Sequence, residues 1–496
     1  MATLERKAVR TEDTWDLTPL FRSWEQWELA FSGLEGRLSE IAQYKGTLTE
    51  SAERIEAAFR LYLELSRELE KLYTFAQLNA DVDLGDSKHQ GYVQQVIGLH
   101  ARFATEASFF TPELLSIDDA LLQSFLADPS LVDYRRRLEE IARYKPHTLS
   151  EPEESLLARG IEVFGSAQKI FSQLNNVDLS FGTVSVDGKD EPLTHSTFVV
   201  FLKNSDRQVR KRAWEQYYRA FDSHRNTIAA SLTASIKRDV YFGQVRKFPS
   251  SLERSLFADD VTPGVYNQLI DTVSANLQPL HRYYELRRER LGLQSLQLFD
   301  TYLPLVKDVR IEHSYEEAVD VIIEALAPLG SAYTTPLKAG LTTGRWVDRY
   351  ENKGKRSGGY HSGCYDSPPY ILMNYKTVEL NDVFTLAHEA GHAMHTYFSV
   401  QSQPYQDHNY TIFVAEVAST FNEELLAEKL KQQFRDDKKL LSYLVNQQID
   451  DIKATFFRQT MFAEFEKLTH EHAEANRPLT LDYFRETYRQ LLAKYF

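Results

Sequence analysis

The 496-residue chain is 43% hydrophobic and 26% charged, the balance of a soluble globular protein long enough for more than one domain. A formal net charge of -14 excludes a phosphate-neutralising nucleic-acid binder, which needs a basic face. One cysteine, Cys364, excludes an intrachain disulfide and fits a reducing compartment.

The first residues, MATLERKAVRTEDTWDL, are charged throughout and lack the apolar core of a secretory signal. No apolar run reaches the roughly 18 residues that span a bilayer. A cytoplasmic protein with no membrane partner is expected.

Residues 49 to 80 contain no Gly or Pro, and Ile55, Phe59, Tyr62, Leu63, Leu69 and Leu72 fall near helical spacing. Residues 179 to 194 alternate around Asp187-Gly188, the signal of a β-hairpin. A long helical run then covers 205 to 243, opened by Ser205 and Asp206 as caps. Further helices are predicted over 261–292 and 314–328. Residues 340 to 376 are rich in Gly, Ser and aromatics and end in an apolar strand-like run, Tyr370 to Asn374. Helical patterns return over 411–434, 439–474 and 481–496. The expected architecture is mainly α with a small β-sheet placed just before residue 384. Division into an N-terminal helical region, 1–200, and a catalytic region, 201–496, is expected, although no composition break marks it.

The chemistry concentrates in FTLAHEAGHAMH, residues 384 to 395. Asn381 and Asp382 can cap a helix that begins near Val383. His388 and His392 then project from one face, one turn apart, where both could reach one Zn2+ ion. Glu389 lies beside them, placed to take a proton from water as general base. With 14 histidines in the chain, a chance H-E-x-x-H match is expected about 0.03 times, which disfavours coincidence. A catalytic zinc wants three protein ligands and one open position. His395, His408, Glu416, Glu423 and Glu424 are the available third donors. His395 would have to reach back along its helix, and His408 sits in a polar loop expected to be exposed. Glu416 opens the next helical run, 24 residues after His392, with room for a loop and a returning helix. Ser419, Thr420 and Glu423 share its face, as supporting partners of the site or as an ordinary polar helix side.

HEAGHAMH, FVAEVAS and GKRSGGYHSG followed by PPYILMNY resemble the oligoendopeptidase F branch of the thimet-oligopeptidase-like zinc metallopeptidases. WDLTPLF, SDRQVRKRAWE and FRQTMFAEFE extend that resemblance over nearly the whole chain. It implies a two-lobed helical metallopeptidase with a deep channel, cleaving short unstructured peptides in the cytoplasm. It also implies His388, His392 and Glu416 as ligands of one zinc ion, with Glu389 as general base. Family members continue beyond the position of Phe496 with a segment carrying a histidine and tyrosines that steady the oxyanion. The expectation on that count is weakened turnover, since losing one oxyanion donor typically costs about 10²–10³. The competing reading is a helical protein that holds zinc and binds peptides with little or no activity.

Two features bear on substrate capture. Backbone groups of Tyr370 to Asn374 could pair with an extended peptide. Lys355 or Arg356, in GKRSGGY, could take a peptide carboxylate, with Tyr360 and His361 as nearby polar groups.

Overall fold

A computed structural model describes residues 4–306, 309, 311–378 and 380–496. Helices dominate the described residues, and five short strands form two small sheets. The mainly α expectation holds. No described helix is long and apolar enough to cross a membrane.

The chain packs as two compact units, each assembled from two separate segments. One comprises Met1–Lys145 and Arg310–Gln433, the other Pro146–Val309 and Phe434–Phe496. Neither border coincides with the division expected at residue 200. A crossing between units needs only a connecting stretch, and such stretches carry no compositional mark.

In the second unit, β1 (Thr183–Val186) and β2 (Lys189–Pro192) form the expected antiparallel hairpin. Asp187 and Gly188 both take positive φ, 50° and 79°, as a two-residue hairpin turn matched to strand twist requires. The 205–243 run is two helices, Arg207–Ser223 and Arg225–Val245, with Asp206 capping the first. The break falls at His224, whose ring engages the Ala220 carbonyl at 3.2 Å and Ser223 Oγ at 2.9 Å. Such local side-chain bonds compete with helix continuation without Gly or Pro. The 261–292 run likewise divides into Pro263–Ala275 and Gln278–Arg290. A five-residue π-turn, Lys453–Phe457, interrupts the 439–474 run. Leu481–Tyr495 is a Thr480-capped helix that buries Phe484, Leu491 and Tyr495, residues that share one face at helical spacing.

The first unit holds the sheet and the histidine helix. Its longest helix, α1 (Ala52–Asp81), is capped by Ser51 and buries Ile55, Phe59, Leu65, Leu69 and Leu72. Tyr370, Leu372 and Cys364 from the second segment enter the same core. Ion pairs join the segments as well: Arg6 to Asp348 at 2.9 and 2.5 Å, and Arg67 to Asp366 at 2.6 and 2.5 Å.

Strands β3 (Val347–Asp348), β4 (Tyr360–Ser362) and β5 (Tyr370–Leu372) are ordered β3-β5-β4. The apolar run expected to receive a substrate is therefore the central strand. Ile371 and Met373 donate to the Trp346 and Asp348 carbonyls on the β3 side, at 2.9 and 2.8 Å, while β4 occupies the other side. The open edge belongs to β4. Helix α2 (Leu380–Ser402) packs against β4 and β5, and α3 (Ile412–Gln433) packs along α2.

Candidate metal centre and active site

Helix α2 starts three residues earlier than expected, so Asn381 and Asp382 lie in its first turn and not ahead of it. Asp382 still closes the entry by accepting the Lys376 N–H at 2.7 Å. Eight residues in, His388 and His392 turn their Nε2 atoms toward each other, 3.1 Å apart.

Glu416 meets them from α3. Its Oε2 lies 3.3 Å from His388 Nε2 and 3.4 Å from His392 Nε2. Among the described residues this is the one group of three or more His, Cys, Asp or Glu with metal-sized spacing. The approach depends on Gly391, since a Cβ there would stand 2.5 Å from Ser419 Cα and 2.7 Å from the Ala418 carbonyl oxygen. Asn422 adds a cross-helix bond, donating to the Ala387 carbonyl at 3.2 Å.

The donor set fits a small cation. Glu423 Oε1 is hydrogen-bonded to His388 Nδ1, which keeps the proton there and leaves the Nε2 lone pair facing inward. Burial disfavours the His388 cation, yet this carboxylate outweighs burial and holds the ring's pKa above its ordinary value. Burial, helped by His388 and opposed by Glu416, pulls the His392 pKa down. Two imidazole nitrogens and a carboxylate oxygen thus converge. Zinc bonds of about 2.0–2.1 Å in tetrahedral array give ligand–ligand edges of about 3.3–3.4 Å, close to the spacings seen. Ser419 Oγ, buried, donates to Glu416 Oε2 at 2.8 Å and fixes the carboxylate.

Glu389 is 7% exposed. Burial, helped by Glu416 and opposed by His388, pushes its carboxyl above the usual range. A carboxylate raised toward neutrality suits proton transfer.

The other expected candidates separate cleanly. His395 stacks on Tyr410, ring centroids 3.6 Å apart, and lies outside the three-residue group. His408, expected exposed, is buried: Nδ1 bonds the Tyr405 carbonyl at 2.6 Å, and Nε2 lies 4.0 Å from Glu70 on α1. Glu423 backs a histidine and Ser419 a carboxylate, whereas Thr420 donates to its own helix at the Glu416 carbonyl, 2.6 Å. Glu424 is not in the group. Lys355 cannot take a peptide carboxylate. Its side chain is fully buried, with Nζ on Asp348 Oδ1 at 2.7 Å and on the carbonyls of Asp348, Tyr350 and Met373 at 3.1, 2.6 and 2.6 Å. Arg356 remains half-exposed, over the Tyr360 ring and 3.4 Å from Asp81. Tyr360 donates to the same Asp81 at 2.6 Å. Burial pushes the Cys364 thiol up to about 11, so it is no thiolate nucleophile.

The profile of peptidase family M3 matches residues 200–496, and that of oligopeptidase F matches residues 113–181. The chain belongs to peptidase family M3. This M3 peptidase is 41% identical to oligopeptidase PepF of Bacillus subtilis over 494 residues, covering 99% of this chain and 73% of that protein. It is 38% identical to an oligoendopeptidase F homolog of Borreliella burgdorferi, covering 99% and 82%. A solved Chlamydophila abortus structure described as a peptidase superposes with a TM-score of 0.90 at 34% identity, covering 99% of this chain and 83% of that one. Peptide-bond hydrolysis is the activity of the family.

A residue at an unspecified position of the H-E-x-x-H motif decides whether the M3 peptidase keeps this geometry. Gly391→Ala should push α3 from α2 and move Glu416 off the histidines. Zinc affinity should fall by about 10- to 100-fold, the range for losing support of a ligand. Competition titration with a chromogenic chelator measures this, and unchanged affinity would show that the close approach is dispensable.

Proposed function

We propose that this M3 peptidase is a cytoplasmic zinc-dependent endopeptidase that hydrolyses short unstructured peptides. His388, His392 and Glu416 hold one zinc ion, and Glu389 is the general base. The observation that carries this reading is the convergence of two imidazole nitrogens and a carboxylate oxygen, 3.1–3.4 Å apart.

A Zn2+ bound there supplies Lewis acidity, polarising a peptide carbonyl and acidifying water. Glu389 accepts a proton on its carboxylate from the attacking water and delivers it to the leaving amine nitrogen. Ser419 and Glu423 keep Glu416 and His388 from rotating away. The open edge of β4 receives the substrate backbone, which favours chains that can lie extended. The names of the relatives, oligopeptidase and oligoendopeptidase, support short substrates.

Metal analysis of the purified chain, before and after chelation, tests the reading. About one zinc per chain is expected. Turnover of a quenched fluorogenic octapeptide should vanish on chelation and return when zinc is restored. Chelator-insensitive cleavage, or a chain that takes up no zinc, would refute it.

A further inference from the structure

His361 stands at the middle of β4, paired with Ile371. Because the Ile371 N–H is directed to β3, this is a pair whose backbone groups do not bond each other. The N–H and C=O of His361 therefore face the open edge. Helix α2, which carries Glu389, packs directly against this strand.

The side chain is placed as tightly. Alternation along the strand turns Tyr360 and Ser362 to one face, where Tyr360 bonds Asp81, and turns His361 to the other. On that face its ring lies 6.4 Å from the His392 ring, centroid to centroid. Its Nε2 is buried and has no hydrogen-bond partner. A buried polar nitrogen without a partner is uncommon in a native fold and calls for a physical role. Metal holding is not that role, because His361 lies outside the group of ligand atoms around His388. Filling space is not either, since an apolar side chain would do so without the orphaned nitrogen.

We propose that His361 is a substrate-binding residue: its Nε2–H donates a hydrogen bond to a backbone carbonyl oxygen of an extended peptide seated along β4, on a residue flanking the cleaved bond. This assignment rests on the peptidase reading above. A bond to a flanking carbonyl is made equally in the ground and transition states, so its loss belongs in KM.

Cleavage of the fluorogenic octapeptide by the zinc-loaded full chain decides the matter. His361→Leu should raise KM about 10- to 100-fold, with kcat within about threefold of wild type and zinc content unchanged. His361→Gln, whose amide N–H reaches a similar position, should recover most of the loss. If the Leu variant is insoluble, His361→Asn, with its shorter amide, takes its place. A wild-type KM in the Leu or Asn variant, a loss confined to kcat, a loss of zinc, or no recovery with Gln would each overturn the proposal while leaving the peptidase reading intact. A wild-type chain with neither zinc nor zinc-dependent cleavage would overturn both.

Discussion

Glu389→Gln should lower peptide turnover by about 10²–10⁴-fold, the usual contribution of a positioned general base. Zinc should remain bound. The reason lies in how little else changes. Gln has the same length and fills the same buried space on α2. What disappears is a carboxylate able to take a proton. Steady-state kinetics together with metal content distinguish this from collapse of the site. A Gln variant that cleaves at the wild-type rate would remove Glu389 from the reaction.

Glu416→Gln should produce the second large effect, through the metal and not the base. The substitution removes the one anionic ligand from the convergent set and leaves two neutral imidazoles. Shared over three protein ligands, the free energy of holding zinc, roughly 10–16 kcal/mol, implies an affinity loss of about 10²–10⁴-fold. Glu423→Gln should cost less, about 10- to 100-fold, because Glu423 only orients His388 through Nδ1. Isothermal titration of zinc into each stripped variant measures both. If the Glu423 variant lost as much as the Glu416 variant, the division of labour argued here would be wrong.

The legibility of this site in the sequence follows distance along the chain. His388 and His392 are one helical turn apart, so their shared face can be read from spacing. Glu416 is legible only as a carboxylate on a returning helix; its meeting with the pair depends on Gly391 and Ser419 allowing two helices to touch. A glycine in a helix interior costs about 1 kcal/mol relative to alanine, and that cost is the available signal that something packs against it. The sheet was less readable. Tyr370 to Leu372 has strand composition, but whether it is central or at the edge depends on β3 and β4, which flank it from elsewhere in the chain. Lys355 reads as a solvated cation in a glycine-rich loop because its acceptors at Tyr350 and Met373 are gathered by that same pairing. His408 belongs to the same class: its polar neighbours in sequence suggest exposure, while Glu70 and Tyr405 enclose it. The helix break at His224 is illegible for a local reason, the absence of a glycine or proline there, whereas the break near Asn276 is marked by Pro279, which sits in the first turn of the next helix.

The interleaving of the two units has a consequence during synthesis. The first 145 residues carry Arg6, Asp13 and Arg67, whose partners Asp348, Arg349 and Asp366 lie beyond residue 310. At about 5–20 residues per second, the ribosome needs roughly ten to thirty seconds to cross the intervening stretch. Throughout that interval the nascent N-terminal segment carries charges and apolar surface whose partners have not yet been made. The unit that holds the histidines can close only after the 412–433 helix emerges, which makes its maturation a late event and gives chaperones a defined window in which to bind.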